Sequence, residues 1–266
     1  MRAIASLLAG LTALALAACA GVGPPLPPPP VHANGGTLWR IISTQCLPGQ
    51  QQRHDPSPCA KVSVDGGQAH GYVLLKDRVG VAQYLLMPSA KITGIEDPAI
   101  LKPDAANYFA DAWSEREAVP MKLGRSLGRT DLSVAVNSIY GRSQDQLHLH
   151  IDCLDKGVAA TLRALAVPRR KAWSEQRVTL MGHAYRVRWL DAADLAHANP
   201  FQMLAGQLYQ GSFPGGPDQM GAWTLALVGA VAPDGHEGFL LLADRVDPAH
   251  GDRASAEELQ DHSCAR

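Results

Sequence analysis

Apolar residues along this chain recur in short runs of period two, broken by Gly, Pro and Asp, with a few helical stretches between them. Residues 71–76 (GYVLLK) and 83–87 (QYLLM) are two such runs, separated by Asp77-Arg78-Val79-Gly80. They predict a hairpin, with Pro88 stopping the second strand. Pro103 and Asp104 open a predicted helix with Ala105, Tyr108, Phe109, Ala112, Trp113 and Arg116 on one face and Pro120 at its end. Further strands are predicted at 132–137 and 146–153, joined by the polar loop 138–145, and Asp155 caps a helix through about Ala166. In the second half, residues 185–190 alternate apolar and basic positions, and Asn199-Pro200 supplies the favoured cap and first residue of a short helix. Residues 223–228 and 239–243 flank Pro233-Asp234-Gly235 as a second hairpin. Ser255 and Glu258 form a capping box for a last helix that delivers Cys264. The pattern is that of one α+β body, an antiparallel sheet with flanking helices. The second half repeats the style of the first, so an internal structural duplication is open, although no sequence repeat supports it.

Composition adds bounds. The chain has 266 residues, 46% of them hydrophobic, and a formal net charge of −1. One large domain or two small ones fit that length. Near-neutral charge without a basic patch gives no reason to expect nucleic acid as a partner.

The N-terminus changes the picture more. Arg2 precedes an apolar stretch, residues 4–18, that ends in Leu16-Ala17-Ala18-Cys19. Roughly 15 apolar residues suit a signal-peptide core, whereas a spanning helix needs ~20. The end of the stretch resembles a bacterial lipobox, in which Cys19 is lipidated and becomes the mature N-terminus. This predicts a signal peptide at 1–18, a lipidated tether at 19–36 and a single domain at 37–266. The tether, with GPPLPPPP at 23–30, reads as a stiff polyproline II spacer. The alternative is an uncleaved single-pass anchor in the inner membrane. Either way the body is expected at a membrane surface, on the periplasmic side. Without Cys19, four cysteines remain, and an oxidising compartment predicts two disulfides. Of three possible pairings, Cys46–Cys59 closes a short polar loop and Cys153–Cys264 pins the C-terminus to a central strand; this pairing is favoured.

The candidate chemistry lies in residues 137–154, NSIYGRSQDQLHLHIDCL. Strand alternation puts His148, His150 and Asp152 on one face, with Leu147, Leu149, Ile151 and Cys153 on the other. A row of titratable groups in a buried strand costs stability unless it is hydrogen-bonded or used. Three readings are open. The histidines can be core residues bonded to carbonyls. They can be metal ligands with Asp152, since His-x-His-x-Asp resembles the first half of the dinuclear zinc motif of metallo-β-lactamase-type hydrolases. That motif's next histidine is replaced by Cys153, which alternation turns away, and a zinc site needs more ligands than this segment offers. Or a histidine can act as a nucleophile on phosphorus, with its other nitrogen bonded so that the tautomer is fixed. The preceding loop then supplies donors for the phosphate oxygens: Asn137, Arg142, Ser143 and Gln144.

The last reading carries a resemblance. The segment is similar to the histidine-triad superfamily, whose motif is three histidines alternating with hydrophobic residues; Asn137 and Gln144 lie eleven and four residues before His148, as do that superfamily's phosphate-contacting Asn and Gln. Residues 73–92 (VLLKDRVGVAQYLLMPSAKI) resemble its lysine-containing strand, turn and strand-to-proline pattern. More closely, the chain resembles the bacterial CDP-diacylglycerol pyrophosphatases. The matching blocks are QCLP at 45–48 with PSPCA at 56–60, residues 71–88, 137–153, and RASAEE at 253–258 with QDH-x-C at 260–264. The resemblance implies a histidine-triad-like fold and hydrolysis of CDP-diacylglycerol to CMP and phosphatidate, without a metal or other cofactor. It implies His150 as nucleophile, His148 as its support, phosphate contacts from Asn137, Gln144 and Arg142, and a contact from Lys76 on the pyrophosphate or nucleotide side. Asp152 stands where the triad has its third histidine. A reading from another class is a non-catalytic lipoprotein that binds nucleotides or lipids.

Overall fold

The computed structural model describes residues 26–165, 169 and 171–265; the expected signal peptide and Cys19 lie outside them. Nine strands form one sheet in the order β1-β2-β3-β5-β4-β8-β9-β7-β6. They are β1 (Lys61–Ser63), β2 (Tyr72–Lys76), β3 (Tyr84–Pro88), β4 (Leu132–Val136), β5 (Leu149–Cys153), β6 (Val178–Leu180), β7 (His183–Asp191), β8 (Trp223–Val231) and β9 (Glu237–Arg245). Every neighbouring pair is antiparallel. Both expected hairpins, β2–β3 and β8–β9, form in register. The order 2-3-5-4 in the first half recurs as 6-7-9-8 in the second, and the halves meet where β4 pairs with β8. The duplication left open by the sequence is therefore visible in strand order.

Period-two burial divides the sheet's residues between two covers. On one face Leu132, Val134 and Val136 of β4, Leu149 and Ile151 of β5, and Leu225 and Leu227 of β8 pack under α3 (Tyr108–Ser114), α4 (Ala118–Leu123) and α6 (Pro200–Tyr209). Each fully buried Leu or Ile there contributes on the order of 1.5–3 kcal/mol. The opposite face is covered in two pieces. A helical run comprising α1 (Thr37–Ile41), one π-helical turn (Ile42–Cys46) and α2 (Leu47–Arg53) places Leu38, Ile42 and Leu47 over Val73, Leu85 and Met87. Helix α5 (Lys156–Ala164), capped by Asp155, places Val158 and Leu162 over Ala226, Val228 and Leu240. His150 pairs with Leu85 on one side and Ala135 on the other, so it sits where the two covers meet.

Several boundaries differ from the sequence reading. α3 starts at Tyr108, because Asn107 accepts from the Ala110 N–H, and Pro103-Asp104 lie ahead of it in a turn. Pro120 does not end the helix: the run is interrupted at Glu115 and restarts at Ala118, which puts Pro120 in a first turn, where its missing N–H is not needed. The expected C-terminal helix is a single 3₁₀ turn, Ala256–Leu259, because the Glu258 carboxylate is taken by His183 and Tyr185 and cannot close a capping box. Both favoured disulfides are present, Cys46–Cys59 and Cys153–Cys264. Nor does the proline-rich segment stand free over its described part. Leu26 packs against the core, the Tyr140 hydroxyl donates to the Pro27 carbonyl, and His32 Nδ1 lies 2.9 Å from Asp145 Oδ1.

Candidate active site

β5 begins one residue after His148, so the two histidines are held differently. Gln146 anchors the approach by donating to the Pro88 and Ala90 carbonyls, and the Leu147 N–H donates to the Ile92 carbonyl. His148 Nδ1 then donates to the Gln146 carbonyl at 2.6 Å. A carbonyl only accepts, so the proton is fixed on Nδ1 and Nε2 keeps its lone pair. Burial, reinforced by His150, pushes the His148 imidazole down to about 4, and it is neutral at physiological pH. The two rings meet edge to face with centroids 4.9 Å apart.

His150 finds its partner far along the chain. Its Nδ1 lies 3.2 Å from Glu257 Oε1 and 2.9 Å from the Gln83 amide. Gln83 Nε2 donates to the same Glu257 oxygen at 3.0 Å, and Asn137 Nδ2 donates to Glu257 Oε2 at 3.0 Å. Burial alone would raise the Glu257 carboxyl. The His150 imidazole and the two amides outweigh it and hold the group well below the usual carboxylate range. An ionised carboxylate only accepts and draws the His150 proton to Nδ1, whereas the Gln83 NH2 at 2.9 Å only donates, so the carboxylate and the amide compete for that nitrogen. His150 Nε2 is buried and has no hydrogen-bond partner among the described residues. Buried polar atoms are nearly always paired, so this nitrogen is available for chemistry.

The segment that brings Glu257 is clamped onto the histidine loop. Ser138 donates through Oγ to the Arg253 carbonyl and through N–H to the Ala254 carbonyl. A Cβ at Gly141 would meet the Ala254 carbonyl at 3.1 Å and the Arg253 carbonyl at 3.2 Å, so glycine permits the close approach. The Ala256 N–H donates to Thr224 Oγ1, whose hydroxyl donates to the Val136 carbonyl.

His148, His150 and Glu257 border a cavity of about 490 Å³, together with Asn137, Arg142, Ser143, Gln144 and Lys76. Its apolar lining comes from Leu38, Ile41, Pro58, Leu75 and Leu85. Of the sequence-predicted residues, all but Asp152 and the cysteines outside this region are thus gathered at one cavity, but several side chains are already engaged. Asn137 accepts the Glu257 N–H as well as donating to its carboxylate. Gln144 Oε1 accepts from the Leu38 N–H, leaving its amide NH2. Lys76 Nζ donates to the Asp77 and Gly80 carbonyls. The buried Arg142 guanidinium is bidentate on Glu96 and also donates to Asp145. Asp152 shares the face but does not border the cavity: its Oδ1 accepts from the Cys153 N–H and its Oδ2 from His262 Nδ1.

Gln83, Glu257 and His262 escaped the sequence reading. Gln83 stood inside an apolar run as its one polar residue, which is the signal that marks it; Glu257 and His262 lie more than 100 residues from their partners. The metal reading gains no ligand set. Among the described residues the group whose ligand atoms lie within 4.8 Å of one another is Asp152, Cys153 and Cys264, and its two sulfurs are joined to each other.

Known proteins are similar to this chain over nearly its whole described length. The family model for CDP-diacylglycerol pyrophosphatase matches residues 33–266. A CDP-diacylglycerol pyrophosphatase of Yersinia pestis is 44% identical over 232 residues, which cover 87% of this chain and 85% of that protein. The match to the family model contains the histidine strand and the segment that carries Glu257, and by both matches this hydrolase belongs to the CDP-diacylglycerol pyrophosphatase family.

Proposed function

We propose that the protein hydrolyses CDP-diacylglycerol to CMP and phosphatidate through a cytidylyl group carried on His150. His150 Nε2 attacks the phosphorus bonded to cytidine, and the bond from that phosphorus to the bridging oxygen breaks. Phosphatidate leaves with the bridging oxygen. Water then attacks the same phosphorus, the N–P bond breaks, and CMP leaves as His150 recovers its lone pair. The imidazole is cationic while it carries the phosphoryl group, and Glu257 beside Nδ1 offsets that charge. The observation that carries this reading is the buried, unpartnered Nε2 of His150, a residue that lines the cavity, with Nδ1 beside an ionised carboxylate. The neutral His148 adds a lone pair beside it, and the Ser143 hydroxyl and the Gln144 and Asn137 amides border the space for the phosphate oxygens.

A lipid substrate requires an open route from a bilayer. The rim of the cavity carries Arg78 and Val79, with Val79 55% exposed, a pairing that suits a headgroup region. The body is held there, on this reading, by a lipid on Cys19, on the periplasmic side of the cell membrane. Two disulfides suit that compartment. Among the described residues no helix is long and apolar enough to cross a membrane.

The test is a quench experiment with CDP-diacylglycerol labelled in the cytidylyl phosphate. An acid-labile adduct mapping to His150, absent in His150→Ala together with turnover, is expected. Turnover in His150→Ala within tenfold of the parent would overturn the reading. Labelled palmitate incorporation at Cys19 in growing cells, lost in Cys19→Ala, checks the anchor; incorporation that survives this change refutes it.

A further inference from the structure

One polar cluster beside the site has no part in the chemistry above. His262 Nδ1 donates to Asp152 Oδ2 at 2.8 Å, and His262 Nε2 lies 3.6 Å from Glu257 Oε1. That oxygen is the one facing His150 Nδ1 at 3.2 Å. Asp152, His262, Glu257 and His150 therefore form a continuous row in which acids and imidazoles alternate. The backbone holds His262 from two sides. The Asp261 N–H donates to the Cys153 carbonyl, and the His262 carbonyl accepts from the Val81 N–H of the β2–β3 hairpin. The Cys153–Cys264 bond then closes the arrangement, one residue beyond Asp152 on the strand and two beyond His262 on the tail. Where the strand would carry a third histidine in the superfamily it resembles, it carries an acid that grips an imidazole from another segment.

We propose that His262, oriented by Asp152, is a positioning residue for the hydrolysis: it fixes the direction and the effective charge of the Glu257 carboxylate and, through it, the proton affinity of His150. This rests on His150 being the nucleophile. Glu257 alone would favour the cationic form of His150, which cannot attack. A protonated His262 on the same carboxylate oxygen offsets that pull. The groups facing His262 are Asp152 on β5, Glu257 in the C-terminal turn and Asp77 in the hairpin, and all three are acids. The hydrogen bond to Asp152 raises the imidazole above the ordinary histidine range, while burial pushes Asp152 itself upward, so the pair keeps a proton between its partners. The groups facing His150 are Glu257, Gln83 and His148. His262 does not border the substrate cavity, so its effect runs through Glu257.

The test is the pH dependence of kcat/KM for the full chain and for His262→Gln and Asp152→Asn, with circular dichroism and thermal melting as fold controls. Removing the cation moves the acid limb of His262→Gln upward by about 0.5–1 pH unit, and kcat falls by about tenfold while KM stays within about threefold. Asp152→Asn moves the limb in the same direction, and the double variant goes no further. A limb that stays in place, whatever the loss of activity, overturns the proposal, as does an effect confined to KM. If His262→Gln does not fold, NMR titration of the parent's imidazoles decides. His150 must show a second inflection at the His262 titration, and a single inflection overturns the proposal. The adduct experiment separates the two readings. No adduct on His150 in the parent removes the nucleophile itself, whereas an adduct with an unmoved limb removes only the role of His262.

Discussion

Glu257→Gln is the most incisive single change. The carboxylate receives Gln83 on Oε1 and Asn137 on Oε2, and faces His150 Nδ1 at 3.2 Å. A glutamine has one acceptor oxygen and an NH2 group, so one of the three donors is left facing another donor. The larger effect is on charge. On the proposed mechanism His150 is neutral before attack and cationic while it carries the cytidylyl group, so its attraction to Glu257 grows along the reaction. At 3.2 Å and an effective dielectric of ~20, two unit charges attract by about 5 kcal/mol. Water at the cavity mouth reduces this, and deletion of a charged hydrogen bond costs about 1.5–3 kcal/mol. A loss of about 3 kcal/mol corresponds to roughly a 100-fold fall in kcat. Substrate binding makes little use of that charge, so KM is expected to change by less than about threefold. The assay is CMP release from CDP-diacylglycerol in mixed micelles, with single-turnover quenching to follow the adduct. Adduct formation, rather than its hydrolysis, should become slow, and Glu257→Asp should recover part of the rate. A Glu257→Gln enzyme within threefold of the parent in kcat, with adduct formation unchanged, would refute the assignment of the carboxylate to His150.

Further outcomes follow from other parts of the molecule. Gly94→Ala places a Cβ 2.0 Å from Arg142 Nη1, displacing a guanidinium that borders the cavity; KM should rise several-fold with kcat nearly unchanged, and steady-state kinetics showing the reverse would remove Arg142 from substrate binding. Removing Cys153–Cys264, with a sequence separation of 111, should cost about 4–5 kcal/mol in guanidinium titration, and removing Cys46–Cys59, with a separation of 13, about 3 kcal/mol. The first change should also lower kcat, because it frees the tail carrying Glu257; unchanged kcat would show that the tail holds without it. Burial, with Asp252 adjacent, pushes the Asp244 carboxyl up from 3.8 to about 8. The folded chain thus holds a proton that the unfolded chain releases. The resulting stabilisation is complete below about pH 4 and lost as pH rises through about 8, at up to about 1.4 kcal/mol per pH unit. Melting temperatures at pH 6 and 9 should differ less in Asp244→Asn than in the parent, and an equal gap would refute the shift.

Much of the sheet was legible because its signals are local. The alternation at 71–76 and 83–87, the Pro-Asp-Gly turn at 233–235 and the caps Asp155 and Asn199 each act within a few residues of themselves. The shared face of His148 and His150 follows from the same local geometry. The apolar spacing of Leu38, Ile41 and Ile42 is likewise a local helical signal, for the run that lines the cavity. Glu257 and His262 were not legible, because a 3₁₀ turn and an irregular tail impose no periodicity and their contacts span more than 100 residues. Ser255 and Glu258 spelled a capping box, but packing decided otherwise: the Glu258 carboxylate is bonded to the second half's His183 and Tyr185, and the turn has no side-chain cap. Two consecutive acids thus serve the two halves of the sheet, Glu257 the half with the histidines and Glu258 the half without them.

The bond between Cys153 and Cys264 gives the enzyme a sense of timing. The tail it ties follows the strand at a separation of 111 residues, and that tail carries the residues that finish the surroundings of His150. A newly made chain in a reducing compartment has the strand and its histidines but lacks the covalent tie that keeps the final turn over them. Oxidation then acts as a closing step, and a reduced chain holds Glu257 and His262 in place by noncovalent contacts alone.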